Sequence, residues 1–242
     1  MQKTLPILCV LLTAGLLPAA QTSQKFEAET TRKVSVGYQL HLPKGYAKDK
    51  TRKWPVILFL HGAGERGDNL DLVTKHGPPK LAKEGQDLPF IIISPQCPKN
   101  ELWDNANLLP LLDHILRTHR CDESRVYLTG LSMGGFGTFA LGLAHPEKFA
   151  AMAPICGGGE WIRVYGAKRA KPKAFKTLAV WTFHGLKDGV VLPGESQRMV
   201  DTLKKAGCEE VKLTLYPEAG HDSWTATYTN PELYEWFLQH SR

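Results

Sequence analysis

Cysteine is scarce in this chain, five residues among 242. None carries metal-ligand spacing: Cys97, Cys121, Cys156 and Cys208 stand far apart with no C-x-x-C or Cys/His pairing pattern, so no metal site is expected. No stretch reaches the roughly 18 consecutive apolar residues that a membrane-spanning helix needs, which excludes stable membrane insertion from the expectations. No internal repeat, low-complexity tract or interdomain linker interrupts the sequence, and one domain is the expectation at this length. Charge of one sign is not concentrated either. Lys and Arg number 30 against 24 Asp and Glu, a net charge of +6, but the basic residues are scattered. Their densest cluster, Lys168 to Lys176, is short and reads as a solvated loop, so nucleic acid is not an expected partner.

What is present begins with a segment of different character. Residues 1–20 carry one charge, Lys3, then a nearly unbroken apolar run from Ile7 to Leu17, then Ala19 and Ala20 ahead of polar Gln21-Thr22-Ser23. That order reads as a secretory signal peptide cleaved near Ala20, although Pro18 fits the A-x-A rule poorly. The expectation is a secreted or periplasmic protein whose catalytic domain occupies 21–242. Removal of Cys9 with the leader leaves four cysteines, which export would permit to pair. Buried free thiols are the alternative, and their connectivity is not legible.

Beyond the leader, Phe26–Thr30 and Val36–Leu42 alternate in the manner of a β-hairpin at a sheet edge. The pattern then changes to continuous apolar runs: Pro55–Leu60, Phe90–Ile93, Arg125–Thr129, Ala150–Pro154, Leu178–Phe183 and Val211–Leu215. Such runs suit strands buried on both faces of a parallel sheet. Helix-like stretches lie between and after them at Leu108–His119, Ser132–Ala144, Glu195–Ala206 and Pro231–Gln239. Strands and helices in alternation predict one α/β domain, a doubly wound and mostly parallel sheet with helices on both faces.

Ligands of such sheets bind at the carboxyl ends of the strands, so the residues just after each run carry the most weight. Gly130-Leu131-Ser132-Met133-Gly134 follows the third run and precedes a helix. This is the G-x-S-x-G context of a nucleophile elbow, in which small residues let strand and helix approach while the hydroxyl stands clear. A serine hydroxyl is a weak nucleophile and needs a base held by a third group, in the chain order Ser, acid, His. Asp188 follows the fifth run and His221 the sixth. Asp222 is a rival acid, but as the immediate neighbour of His221 it is poorly placed to reach the far ring nitrogen. His61 and His184 read as structural histidines bonding within their loops. The turn His61-Gly62-Ala63-Gly64 lies after the first run, where an oxyanion donor belongs, and the amides of Ala63 and Met133 are the candidate pair. Glu65 and Arg66 read as a salt bridge inside that loop. Trp103, Trp161 and Trp224 fall in loops near strand ends and are candidates for substrate contact.

The segments LHGAGERGDN, ISPQCP, VYLTGLSMGGFGT, APICGGG and YPEAGHDSW together resemble the secreted bacterial esterases of the α/β-hydrolase superfamily. These are related to the phospholipase/carboxylesterase and dienelactone hydrolase families and to carbohydrate esterases that remove feruloyl or acetyl groups. The likeness runs from Val34 to Leu238. It implies the α/β-hydrolase fold, with Ser132 as nucleophile, His221 as base, Asp188 as its orienting acid and Ala63 and Met133 as oxyanion donors. It also implies that no metal or organic cofactor takes part. One departure stands out: relatives usually carry Asp-Pro-Val-Val-Pro after the seventh strand, whereas here Asp188-Gly189-Val190-Val191-Leu192-Pro193 has glycine for proline and one extra residue.

The expected activity is a serine carboxylic-ester hydrolase acting on short acyl or aryl esters, among them acetyl or feruloyl groups on polysaccharide. No long insertion offers a lid, which disfavours interfacial action on long acyl chains; Gly157–Lys176 is the one candidate cap. A prolyl-oligopeptidase-like peptidase shares the fold, but no propeller pattern accompanies these 242 residues. A non-catalytic binding protein is the third reading, set against an intact Ser, Asp and His in order.

Overall fold

A computed structural model describes Ser23 and residues 25–242; the leader read at 1–20 lies outside them. Contacts divide the chain at Lys33, and residues 25–33 form neither helix nor strand. Among the described residues all regular structure belongs to the unit Val34–Arg242. Its seven strands are β1 (Tyr38–His41), β2 (Trp54–Leu60), β3 (Ile91–Pro95), β4 (Cys121–Leu131), β5 (Ala151–Ile155), β6 (Ala179–Gly185) and β7 (Val211–Tyr216). They lie in the order β1-β3-β2-β4-β5-β6-β7, with β1 antiparallel and every other pair parallel.

The expected hairpin does not form. Tyr38–His41 pairs with β3 instead, and Phe26–Thr30 is not a strand. Val36, Tyr38 and Leu40 recur at period two and pack against the core, where β3 offers them a buried apolar edge. Phe26, by contrast, stands 91% exposed. Apolar burial, worth about 25 cal/mol per Å², decides the partner.

Successive side chains of the central strands feed two separate cores, which is why those strands read as unbroken apolar runs. Val56, Leu58 and Leu60 point to one face, with Leu112 of α2 (Asn105–Thr118), Phe139 of α3 (Met133–Ala144), Val164 of α4 (Trp161–Ala170) and Leu203 of α6 (Pro193–Ala206). Ile57 and Phe59 point to the other, with Leu81 of α1 (Gly77–Lys83), Tyr228 of α7 (Trp224–Thr229) and Phe237 of α8 (Pro231–Leu238). The remaining helix, α5 (Pro172–Thr177), sends Phe175 into the first core. Prolines in the first turns of α1, α5, α6 and α8 occupy positions whose amide has no helical partner, so they start these helices rather than break them. The chain leaves β2 for β3 on one side and β4 on the other. That reversal creates a crevice at the carboxyl ends of β2 and β4.

All four described cysteines are buried free thiols. Burial pushes Cys97 up to about 11 and Cys121, Cys156 and Cys208 up to about 12.

The last helix is tied to the sheet by Glu210, which accepts from the Trp236 indole at 2.8 Å and faces His240 Nε2 at 2.8 Å. Burial would raise its pKa, but hydrogen bonds from His240, Trp236 and Lys212 outweigh that and hold it at about 2. A carboxylate depressed on folding stabilises above its unfolded pKa, about 4.3, and that contribution is lost as pH falls through the folded value. Glu210→Gln is therefore expected to lower Tm at pH 6. Thermal unfolding at pH 6, 4 and 2 should show the gap to the unsubstituted protein closing towards pH 2.

Candidate active site

Ser132 stands between β4 and α3 with φ 52° and ψ −117°, a conformation rare outside glycine that costs on the order of 1–3 kcal/mol. Its amide donates to the Ile155 carbonyl at 2.9 Å, and its carbonyl accepts from Phe136 at 3.1 Å. The neighbouring glycines serve close approach. A Cβ on Gly134 would lie 1.9 Å from the Leu60 carbonyl oxygen, and one on Gly130 would lie 2.5 Å from the Gly134 oxygen. The sharp turn thus rests on the serine itself, while Gly134 and Gly130 let the first turn of α3 press on the end of β2.

That turn presents the Ser132 hydroxyl to His221, whose Nε2 lies 2.9 Å from Oγ. His221 Nδ1 lies 2.7 Å from Asp188 Oδ2. The sheet therefore brings together the three residues that chain order singled out, each from the carboxyl end of a different strand. Asp222 is engaged elsewhere: its carboxylate accepts from the Thr225 amide and hydroxyl, both at 2.9 Å, at the start of α7. Glycine in place of proline at 189 leaves the acid firmly held. Asp188 Oδ1 accepts from the amides of Val190 (2.8 Å) and Val191 (3.0 Å), an Asx-type turn. Burial would raise the Asp188 pKa, but the His221 imidazole and those two amides hold it below the usual carboxylate range.

A second histidine backs this carboxylate. His184 is fully buried, with Nε2 3.1 Å from Asp188 Oδ2 and 2.9 Å from the Val191 carbonyl. Facing two acceptors, Nε2 is the protonated nitrogen of the ring. Nδ1 lies 2.7 Å from the Ser196 hydroxyl, which also reaches the Gly157 carbonyl at 2.9 Å. His184 sits in β6 rather than in a loop, and its bonds reach the loop after that strand, α6 and, through Ser196, the loop after β5. His61 is structural too. Its Nε2 accepts from the Cys97 amide at 3.0 Å and its Nδ1 donates to the Gly62 carbonyl at 2.6 Å, while burial lowers its pKa.

Ala63 opens a three-residue 3-10 turn after β2, and Met133 is the first residue of α3. The first amides of a helix have no intrahelical acceptor, and neither of these two donates within the described residues. Both residues line a cleft of about 720 Å³ whose wall includes Leu102, Trp103 and Phe136, with Gly159, Glu160 and Arg163 contributed by the candidate cap. Trp103 also donates to the His61 carbonyl at 3.1 Å. Trp161, half exposed on α4, is outside that lining. So is Trp224, whose ring meets His221 edge-on at 5.3 Å and supports the histidine from the side of α1 and α7.

The expected Glu65–Arg66 pair does not form. Glu65 turns inward, where its Oε2 accepts from the Gly62 amide at 3.1 Å. Arg66 turns to the cleft, donating to the carbonyls of Ala63 (3.0 Å) and Glu101 (3.2 Å). Gly62–Gly67 carries the G-x-G-x-x-G spacing of dinucleotide-binding turns. Here it opens onto a short 3-10 turn with a buried glutamate in it, not onto a helix N-terminus free to receive phosphate. Among the described residues no cluster of three or more His, Cys, Asp or Glu side chains is placed to hold a metal ion.

Residues 94–184 match the "Putative esterase" family and residues 168–242 the prolyl oligopeptidase family. An endo-1,4-beta-xylanase/feruloyl esterase of Xylanibacter ruminicola is 28% identical over 203 residues, 75% of this chain and 26% of that protein. The bifunctional acetylxylan esterase/xylanase XynS20E of Neocallimastix patriciarum is 27% identical over 144 residues, 57% of this chain and 20% of that protein. The chain thus spans about a quarter or less of these two curated relatives. Among solved structures, a thermostable esterase superimposes with a TM-score of 0.71 at 32% identity, covering 86% of this chain and 59% of the other.

Proposed function

We propose that this chain, a member of the α/β-hydrolase superfamily by its sheet and its solved neighbours, is a serine carboxylic-ester hydrolase. The observation that carries the reading is the unbroken hydrogen-bonded path from Ser132 through His221 to Asp188, beside two unused amides at the cleft. In this reading His221 Nε2 takes the Ser132 proton as Oγ attacks the ester carbonyl carbon. The amides of Ala63 and Met133 receive the developing oxyanion, a contribution of about 10²–10³ in rate for each donor. Asp188 holds the Nδ1–H tautomer and stabilises the imidazolium, which then protonates the leaving alcohol; water repeats the cycle on the acyl-enzyme.

The substrates best supported are aryl or short acyl esters on polysaccharide. The cleft exceeds what an acetyl group fills, and Trp103 and Phe136 offer aromatic faces. The relatives named for feruloyl and acetylxylan ester hydrolysis point the same way. Secretion or periplasmic location fits the 1–20 leader. Initial rates on methyl ferulate, acetylated xylan, p-nitrophenyl acetate and a lysophospholipid test this. Turnover of the first three and none of the fourth is expected; turnover of the lysophospholipid alone would overturn it. The prolyl oligopeptidase match, which spans Asp188 and His221, favours a second reading as a peptidase, decided by a panel of peptide amides. Labelling of Ser132 by a fluorophosphonate separates both from a non-catalytic binding role.

A further inference from the structure

Three arginines line the cleft beside Ser132: Arg66, Arg163 and Arg198. Two are neutralised by their own helices. Arg163 pairs with Glu160 through Nε at 3.0 Å and Nη2 at 3.2 Å, and Arg198 pairs with Glu195. Arg66 has no carboxylate partner among the described residues. Instead two backbone carbonyls from different loops fix its plane, Ala63 on Nε and Glu101 on Nη1, leaving Nη2 uncommitted. A guanidinium held this way keeps its full charge and has lost its rotamer freedom before any ligand arrives. It is bonded to the carbonyl of Ala63, the residue whose amide is the proposed oxyanion donor. One hydrogen bond thus joins the guanidinium to the residue that carries the proposed oxyanion donor.

We infer that Arg66 is a specificity-determining residue that receives a carboxylate on the substrate, so that the preferred esters are anionic ones. This rests on the ester-hydrolase reading above and narrows its substrate class. A planar guanidinium matches a carboxylate in a charge-assisted hydrogen bond, and the paired Arg163 and Arg198 offer no competing free cation on the same wall. The carboxylate can belong to the acyl part, as in a half-ester of a dicarboxylic acid, or to the alcohol part, as in an acylated acidic sugar. Both present the same group to Arg66.

The test compares kcat/KM within two matched pairs, on the unsubstituted protein, Arg66→Gln and Arg66→Lys. Mono-p-nitrophenyl succinate against p-nitrophenyl butyrate places the charge on the acyl part. 4-Acetoxybenzoate against 4-acetoxybenzamide places it on the alcohol part. In at least one pair the ratio of anionic to neutral ester should fall about tenfold in Arg66→Gln, chiefly through KM, with part retained in Arg66→Lys. The same pair's ratio in the unsubstituted protein should fall as salt rises from 0.05 to 0.5 M, because screening shortens the reach of the charge. The pair that responds identifies which part of the substrate carries the carboxylate. Should Arg66→Gln fail to fold, Arg66→Lys and the salt series decide. Neutral esters turned over with both ratios indifferent to substitution and salt would reduce Arg66 to a tie between two loops and leave the hydrolase reading standing. Turnover of none of the four esters would overturn that reading, and this inference with it.

Discussion

Ser132→Ala is expected to lower kcat on an activated ester by about 10⁴–10⁶-fold while leaving a folded protein, since a triad acts as a unit and little survives loss of its nucleophile. A burst assay with p-nitrophenyl acetate measures it, and circular dichroism confirms the fold. Retained activity in the folded variant would falsify the assignment. A companion substitution separates chemistry from backbone. Ser132 holds φ 52°, a conformation that glycine adopts without a Cβ penalty. Ser132→Gly should be equally inactive yet more stable than Ser132→Ala by about 1–2 kcal/mol, raising Tm by about 2–8 °C. The serine is thus expected to hold its place at a cost in stability, offset by the Gly134–Leu60 packing that fixes the turn.

Asp188→Asn is expected to cost about 10⁴ in kcat with little change in KM. The carboxylate faces four donors: two amides on Oδ1, and His221 Nδ1 and His184 Nε2 on Oδ2. An asparagine that keeps its oxygen on the amides turns its NH₂ toward both imidazoles, donor against donor. His221 escapes by moving its proton to Nε2, where it points at Ser132 and cannot accept. Steady-state kinetics at pH 7 check the rate. Acid unfolding gives a separate reading: the folded Asp188 pKa is depressed, so its stabilisation is present above about pH 4 and lost as pH falls through the folded value. The Asn variant should lack that component of the acid transition. A loss in kcat below tenfold would remove Asp188 from the role proposed.

The strands were legible because both faces of the sheet are covered, so that apolar residues run on without alternation. The three residues of the proposed triad stood out for a related reason: a parallel sheet gathers the loops at its strands' carboxyl ends, and Ser132, Asp188 and His221 each follow a strand. The edge was not legible, because an alternating stretch such as Val36–Leu42 does not say which strand it joins. Four helices were missed. In α1 and α5, prolines at the first turn read as breakers. In α4, only Val164 and Ala167 are buried, too few to set a helical period. Side-chain direction was the third blind spot. Nothing in adjacent Glu65 and Arg66 tells that one bonds a buried amide and the other faces the cleft, since that depends on how Gly62 sits against Leu131.

The buried thiols bear on how this protein can be handled. With their pKa values at about 11 to 12, Cys97, Cys121, Cys156 and Cys208 hold almost no thiolate at neutral pH, and each is nearly sealed from solvent. Among the described residues maleimides and disulfide reagents thus meet a silent background, so in a chain without the leader and its Cys9 a single engineered surface cysteine can carry a fluorophore or a spin label. The described fold contains no disulfide, so residues 25–242 should fold alike in a reducing cytosol and in an oxidising compartment.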